Sequence, residues 1–188
     1  IFTSDNGPVW YAEDVEKYGH KSVGDLRGMK GDAWEGGHRM PMAIRWPAKT
    51  KAGAVSDQLV CLVDLFATVA SIVGHDLAND VAEDSIDFSG ALLEQDFSSA
   101  RDSLVVNSTK DLLMIRQGQK KLIPFRGSGG FIKRKGLREP VTDGPKGQLY
   151  DLAADPSETK NLYDAQPAEV RRLSGLLDQI KAAGRTRN

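Results

Sequence analysis

One cysteine, Cys61, stands among 188 residues, which excludes an intramolecular disulfide framework and any multi-cysteine metal centre. Long apolar runs are missing as well. The longest, Leu59 to Val73, is interrupted by Asp64 and Thr68 and falls short of the ~20 residues that span a bilayer, so no membrane segment is expected. Net charge is almost absent, at −1, which argues against general polyanion binding by the whole chain, nucleic acid included. The three histidines, His20, His38 and His75, lack the i, i+4 spacing that would hold a metal on one helix face. Neither Cys61 nor any serine sits in a recognisable nucleophile motif. No secretory leader is visible, but the chain opens at Ile1 inside an apolar strand pattern, so that absence says nothing about compartment.

What is present is ordinary globular composition, 40% hydrophobic and 27% charged. A chain of this length can bury roughly 70% of its extended surface, enough for one full domain or one plus a small appendage. The balanced total hides an uneven distribution. Residues 76–102 carry eight acids against Arg101 alone, and residues 110–138 carry nine bases against Asp111. The basic stretch is a candidate face for an anionic partner, or simply a solvated hairpin surface.

Ile1–Ser4 reads as the end of a buried strand, stopped by the turn formers Asp5-Asn6-Gly7-Pro8. Residues 9–38 hold six glycines and little periodicity, which predicts a long loop with one short helix at most. Met40 to Trp46 reads as a second strand, with Pro41 suited to its start. A helix is expected from about Gln58 to Val73, capped by Ser56 or Asp57 and closed by Gly74. It is apolar almost all round and should be buried, with Asp64 and Thr68 on one face, bonding each other or the loop above.

Beyond residue 100 the spacing predicts short strands at Ser103–Val106, Leu112–Arg116, Lys120–Phe125 and Gln148–Leu152, with a hairpin turn at Gln117-Gly118. Gly127-Ser128-Gly129-Gly130 lacks the lysine and the strand–helix frame of a phosphate loop and reads as a flexible linker. Pro167 opens a terminal helix whose Val170, Leu173, Leu176, Leu177 and Ile180 form one apolar stripe. Four short strands and one amphipathic helix make a small α+β layer.

Three places could carry chemistry. Asp5-Asn6 follows a strand end, where ligands gather in α/β folds, and a carboxylate beside an amide oxygen suits a hard cation such as Ca²⁺ or Mg²⁺. An isolated Asp5-Asn6-Gly7 more often makes a plain turn, and two ligands cannot fill a sphere of about six. Lys30 lies between Gly28 and Gly31, which let the backbone approach a bound group and leave the ammonium as a point charge for an anion; the alternative is a solvated loop lysine. In Glu35-Gly36-Gly37-His38-Arg39 the glycines imply a tight path, and Glu35 with Arg39 can form an ion pair fixing the loop against the sheet. His20 and His38 are weaker candidates for substrate contact.

In their order and spacing, four segments resemble the sulfatase family of the alkaline-phosphatase-like superfamily. They are Phe2-Thr3-Ser4-Asp5-Asn6-Gly7-Pro8, Leu26-Arg27-Gly28-Met29-Lys30-Gly31, Trp34-Glu35-Gly36-Gly37-His38-Arg39-Met40-Pro41, and Arg45-Trp46-Pro47. Asp64-Leu65-Phe66-Ala67-Thr68 looks like the family's Asp-x-x-Pro-Thr helix, with Ala67 in place of proline. Leu149-Tyr150-Asp151-Leu152, then Asp155-Pro156-x-Glu158 and Asn161-Leu162, is similar to its C-terminal signature.

The resemblance implies an α/β fold. Residues 1–100 would be the C-terminal part of an alkaline-phosphatase-like α/β sandwich, the catalytic domain. Residues 101–188 would be a small α+β subdomain, a short antiparallel sheet packed on a C-terminal helix. It also implies sulfate ester hydrolysis with Ca²⁺ (or Mg²⁺) and a formylglycine nucleophile. Asp5 and Asn6 would be metal ligands, Asp5 would also orient the nucleophile, Lys30 would hold a sulfate or ester oxygen, and His20 would touch substrate. The partner would be a sulfate ester, such as a sulfated carbohydrate, and a periplasmic or secreted location is favoured. The family's Cys/Ser-x-Pro-x-Arg motif, from which formylglycine is made, is not in this sequence, where Cys61 precedes Leu62-Val63. The expectation is therefore the C-terminal part of a sulfatase, inactive without its N-terminal portion. Two alternatives remain: a phosphonate or phosphodiester hydrolase of the same superfamily, and a non-catalytic module binding anionic polysaccharide through residues 110–138.

Overall fold

A computed structural model describes residues 1–93, 101–108, 112–130 and 143–187. Its contacts divide the chain into two units that do not follow chain order. One comprises Ile1, Ala43–Leu104 and Asp178 onward, and the other Phe2–Met42 with Val105–Leu177. No helix among the described residues is long and apolar enough to cross a membrane.

The second unit is built on a four-stranded sheet in the order β3 (Ser103–Asn107), β4 (Leu113–Gln117), β5 (Lys120–Ile123), β6 (Gln148–Asp151). β4–β5 and β5–β6 are antiparallel, with Ile115 opposite Leu122 and Leu122 opposite Leu149. Side chains alternate across a pleat, so this register gives the sheet two distinct faces. Ile115, Leu122 and Leu149 fall on one face, fully buried, and the sheet packs on the terminal helix α4 (Pro167–Ala183). That helix buries Val170, Leu173 and Leu177 of the expected stripe, while Leu176 and Ile180 are half-buried. Met114, Ile123 and Tyr150 lie on the other face and form a core with Ala33 and Leu152, with Trp34, Val106 and Phe125 packed around it. The hairpin turns at Gly118, whose φ of 54° is left-handed.

The strand assignments beyond residue 100 thus agree with the sequence to within a residue or two at each end. The Gly127–Gly130 segment does not behave as a linker. Ser128 is buried, its carbonyl accepts the Ala33 N–H at 2.7 Å, and the Gly127 carbonyl accepts Gln148 Nε2 at 2.8 Å.

At the other end of the chain, β1 (Phe2–Thr3) pairs with β2 (Met42–Ala43) in a two-stranded sheet. The expected Met40–Trp46 strand contracts to these two residues. The expected burial of Ile1–Ser4 fails as well: Phe2 is 70% exposed, because so short a ladder covers only one side of the chain. The long loop contains α1 (Ala12–Tyr18) and a 3₁₀ turn over Glu35–Gly37.

In the first unit, α2 runs over Asp64–Ile72, six residues shorter at its start than expected. Asp64 explains the difference. Its carboxylate accepts the Cys61 N–H at 2.7 Å and the Ile86 N–H at 2.9 Å, so the chain enters the helix at Asp64 rather than at Ser56, whose hydroxyl serves only Gln58. Arg101 donates to the same buried carboxylate at 2.9 Å. Thr68 accepts the Phe88 N–H at 3.0 Å, and Ser85 bridges the Ala67 N–H and the Val63 carbonyl. Of the two alternatives for Asp64 and Thr68, the loop above takes both side chains. Gly74 closes the helix at φ 71°, as expected. The expected all-round burial is not met. Asp64, Ala67, Thr68 and Ala70 are buried, while Val63, Phe66, Val69 and Val73 are exposed. α3 (Ser89–Leu92) follows, its entry bonded by Asp87 to the Ser89 N–H at 2.7 Å.

Leu173 sits at 0% exposure in the middle of the α4 stripe. Leu173→Ala is expected to destabilise the second unit by about 2–5 kcal/mol through lost transfer energy and a residual cavity. Urea unfolding followed by circular dichroism measures this.

Candidate sulfate site

The segment carrying Lys30 is held by its neighbours' backbones. The Lys30 N–H donates to the Pro8 carbonyl at 2.9 Å, the Gly7 N–H to the Gly37 carbonyl at 2.9 Å, and the Gly36 N–H to the Arg27 carbonyl at 2.7 Å. These bonds draw the Asp5-Asn6-Gly7 turn, the Lys30 loop and the Glu35–Gly37 turn together. Only glycine permits it. A Cβ on Gly7 would lie 2.0 Å from the Gly36 carbonyl oxygen, and one on Gly36 would lie 2.6 Å from the carbonyls of both Arg27 and Gly28.

Beside these segments lies an open cavity of about 460 Å³ whose wall includes Ser4, Asn6, Lys30 and Arg39. Asn6 and Lys30, proposed separately from sequence, therefore share one cavity. Asp5 is adjacent and exposed and does not line it, and the Ser4 hydroxyl lies 3.4 Å from its Oδ1. His20 lies outside the cavity: its carbonyl accepts Trp10 Nε1 at 2.7 Å, and its ring sits edge-on to Trp10. Arg39 is the residue that sequence reasoning missed here. Read only as a partner for Glu35, it places a second cation on the cavity wall, with its guanidinium half exposed.

The donor set of Asp5 and Asn6, one carboxylate and one amide oxygen, matches the preference of Ca²⁺ or Mg²⁺ for oxygen. It is also incomplete, because the described residues contain no group of three or more acidic, His or Cys side chains able to hold a metal. These two residues can supply part of a coordination sphere and not the whole.

Behind the cavity lies a buried ionic cluster. Lys121 of β5 is 1% exposed, and its Nζ lies 2.9 Å from Glu35 Oε1, 2.9 Å from Glu158 Oε1 and 3.1 Å from His38 Nε2. Arg116 Nη1 stands 3.5 Å from Glu35 Oε2 and Arg39 Nη1 3.6 Å from it, so the expected Glu35–Arg39 pair exists as the outer edge of a larger network. Glu158 Oε2 accepts the Glu35 N–H at 2.6 Å. Burial alone would raise the Glu35 carboxyl, but Lys121, His38 and Arg116 outweigh it and hold it below the usual carboxylate range. Glu158 is displaced upward by burial, against the pull of Lys121. The His38 pKa is lowered to about 4 by burial and then by the Lys121 charge, so at neutral pH the ring is uncharged, with Nε2 3.1 Å from Lys121 Nζ and 3.3 Å from the Ala33 carbonyl oxygen. His38 is thus occupied structurally.

A second tie fastens the same segment. Arg27 lies 3.7 Å above the Trp34 ring and donates to the Glu158 carbonyl at 2.9 Å, while Trp34 Nε1 and Tyr150 Oη both donate to Gln148 Oε1. Among the described bases of the 110–138 stretch, Arg116 and Lys121 face Glu35, Lys120 pairs with Asp151 at 2.9 Å, and Arg126 donates to the Gly144 and Pro145 carbonyls. Lys110, Lys133, Arg134, Lys135 and Arg138 lie outside the described residues.

Known proteins resemble this chain over nearly its whole length. The sulfatase family model matches residues 1–75. An N-acetylgalactosamine-6-O-sulfatase of Bacteroides thetaiotaomicron is 37% identical over 96% of this chain and 36% of its own length. Human arylsulfatase A is 32% identical over 96% of this chain and 36% of its own. The chain belongs to the sulfatase family. A solved structure described with the metabolism of multiple glycosaminoglycans by Bacteroides thetaiotaomicron superposes with a TM-score of 0.81 at 36% identity, over 96% of this chain and 38% of that one. This sulfatase-family chain therefore spans little more than a third of the length of these relatives.

Two predictions follow from the cluster. Lys121→Met keeps the bulk and removes the charge, leaving Glu35 and Glu158 buried side by side; the expected loss at pH 7 is about 3–5 kcal/mol, read from urea midpoints. The second concerns His38, which Lys121, Glu35 and Arg116 face. The folded ring titrates near 4 and the unfolded one near 6.5, so the unfolded chain takes up a proton first as pH falls. The His38 contribution is complete above pH 6.5 and declines between 6.5 and about 4, by up to ~1.4 kcal/mol per unit. Stability curves of wild type and His38→Gln are expected to run parallel above pH 7 and converge or cross below it.

Proposed function

We propose that this chain supplies part of the active site of a sulfuric ester hydrolase, with Lys30 and Asp5 as catalytic groups and Asp5 and Asn6 as metal ligands. The observation that carries the reading is the shared cavity, in which Asn6 stands with two cations, Lys30 and Arg39. On this reading Lys30 donates to a sulfate or ester-bridge oxygen where negative charge develops. Arg39, a forked donor at the same wall, holds the sulfate group in one orientation. Such preorganised donors act most strongly where charge appears during bond cleavage. A bound Ca²⁺ or Mg²⁺ would polarise the sulfate oxygens and add several kcal/mol of charge stabilisation. The formylglycine nucleophile belongs to sulfatase residues outside this sequence, and Asp5 orients it. His20 stays a substrate contact only if its loop turns toward the cavity when substrate binds.

Residues 1–100 are assigned on the same reading to the C-terminal part of an alkaline-phosphatase-like catalytic domain, and 101–188 to a small α+β subdomain. A sulfated carbohydrate is the favoured substrate class, in keeping with the N-acetylgalactosamine-6-O-sulfatase relative. No observation favours the phosphonate, phosphodiester or polysaccharide-binding readings over this one.

The 188-residue chain alone is expected to release no sulfate from an aryl sulfate with added Ca²⁺. Combined with a complementary sulfatase portion that restores turnover, Lys30→Ala is expected to lower kcat about 10²–10³-fold. Turnover by the chain alone, abolished in Lys30→Ala, would show the site to be complete and overturn the shared-site reading.

A further inference from the structure

We propose that the exposed apolar face of α2 is the docking surface for the sulfatase portion that completes the site. The helix carries a single charged residue, Asp64, and that one is buried. Its opposite side presents Val63, Phe66, Val69 and Val73, exposed by 49%, 55%, 51% and 70%. Steps of three and four residues put these side chains in one stripe. With Leu77 and Val81 they line an apolar groove of about 650 Å³ in which His75 is the one polar side chain among the described residues. A helix face meant for water carries Lys, Glu or Arg along such a stripe, and an exposed apolar stripe that lacks them is the kind of surface a partner covers.

With no lysine, arginine or carboxylate in its lining and His75 as its one polar side chain, the groove suits an apolar occupant better than a glycan or a phosphorylated partner. Two apolar occupants are then available, a second copy of this chain or the rest of a sulfatase. A second copy would cover the stripe but bring only another Asp5-Asn6 pair, leaving the oxygen donor set as short as before. The relatives argue for the other. The chain aligns over nearly all of its own length with an N-acetylgalactosamine-6-O-sulfatase yet spans 36% of it, so most of that protein lies outside the matched region. The inference rests on the reading that such residues complete the site, and it names the surface through which they attach.

The test co-expresses the tagged 188-residue chain with the part of the Bacteroides thetaiotaomicron relative that it does not match. The expected result is a 1:1 complex by size exclusion with light scattering, with α2 amides protected from hydrogen exchange. Phe66→Asp and Val69→Asp together are expected to weaken the complex more than tenfold. The unfolding midpoint of the chain alone should stay in place, since both side chains are already half exposed. Arg171→Glu, on the exposed side of α4, should leave the complex intact.

Failure to form a complex, or a complex that survives Phe66→Asp/Val69→Asp, would overturn the proposal. So would a concentration-dependent dimer of the chain alone that those substitutions abolish, which would make a second copy the occupant. Sulfate release is read separately from the same sample. A complex that forms through α2 and hydrolyses no sulfate ester supports the docking surface while refuting the proposed activity.

Discussion

A lysine ammonium buried between two carboxylates is the constraint on which the second unit depends. Lys121 occupies a strand position whose neighbours on the same face, Met114, Ile123 and Tyr150, belong to the apolar core, and it has almost no access to water. A charge there is tolerable only if it is matched at close range. Glu35 and Glu158 match it, and they come from segments 86 residues before and 37 residues after it in the chain. The cost of leaving any one of the three alone fixes the glycine-rich segment around Lys30 onto the sheet, with His38 and Arg116 filling the remaining polar positions around Glu35. The small sheet is thus a clamp for the loop that lines the cavity as well as a layer on α4.

The cavity depends on that clamp through the backbone. Glu35 opens the 3₁₀ turn whose Gly36 and Gly37 accept the close approach of Arg27 and Gly7. Gly7 sits against the Gly36 carbonyl and Gly36 against those of Arg27 and Gly28, so the turn that Glu35 opens has little room to shift. The Asn6 turn is tied to this path by the bond from Gly7 to Gly37, and Lys30 is tied to the Asn6 turn by its bond to Pro8. Burial energetics and site geometry are therefore one problem, solved by residues far apart in sequence.

Local signals were legible, and distant pairings were not. The strands β3 to β6 and the Pro167 helix follow from period-2 and period-3.6 patterns that depend on neighbours in the chain. The helix α2 was misjudged at its start because Asp64 satisfies the amide of Cys61 directly, a tertiary-looking contact made over three residues. Its burial was misjudged because an apolar helix says it will be covered without saying by what. Gly127–Gly130 carried the composition of a linker, but its packing against Ala33 and Gln148 depends on partners about a hundred residues upstream and twenty downstream. One signal for the cluster was available: Lys121 falls in phase with Ile123 on a buried face, and a lysine there demands an acid.

The same network sets the charge of the cavity. Glu35 sits 2.9 Å from Lys121 and 3.6 Å from Arg39, so the buried lysine takes the tighter share of its negative charge. Arg39 remains incompletely neutralised at the cavity wall, beside Lys30. A wall with two cations, Lys30 and Arg39, favours a negatively charged group over a neutral one. Buried Lys121 thereby shapes the field at a surface it does not reach.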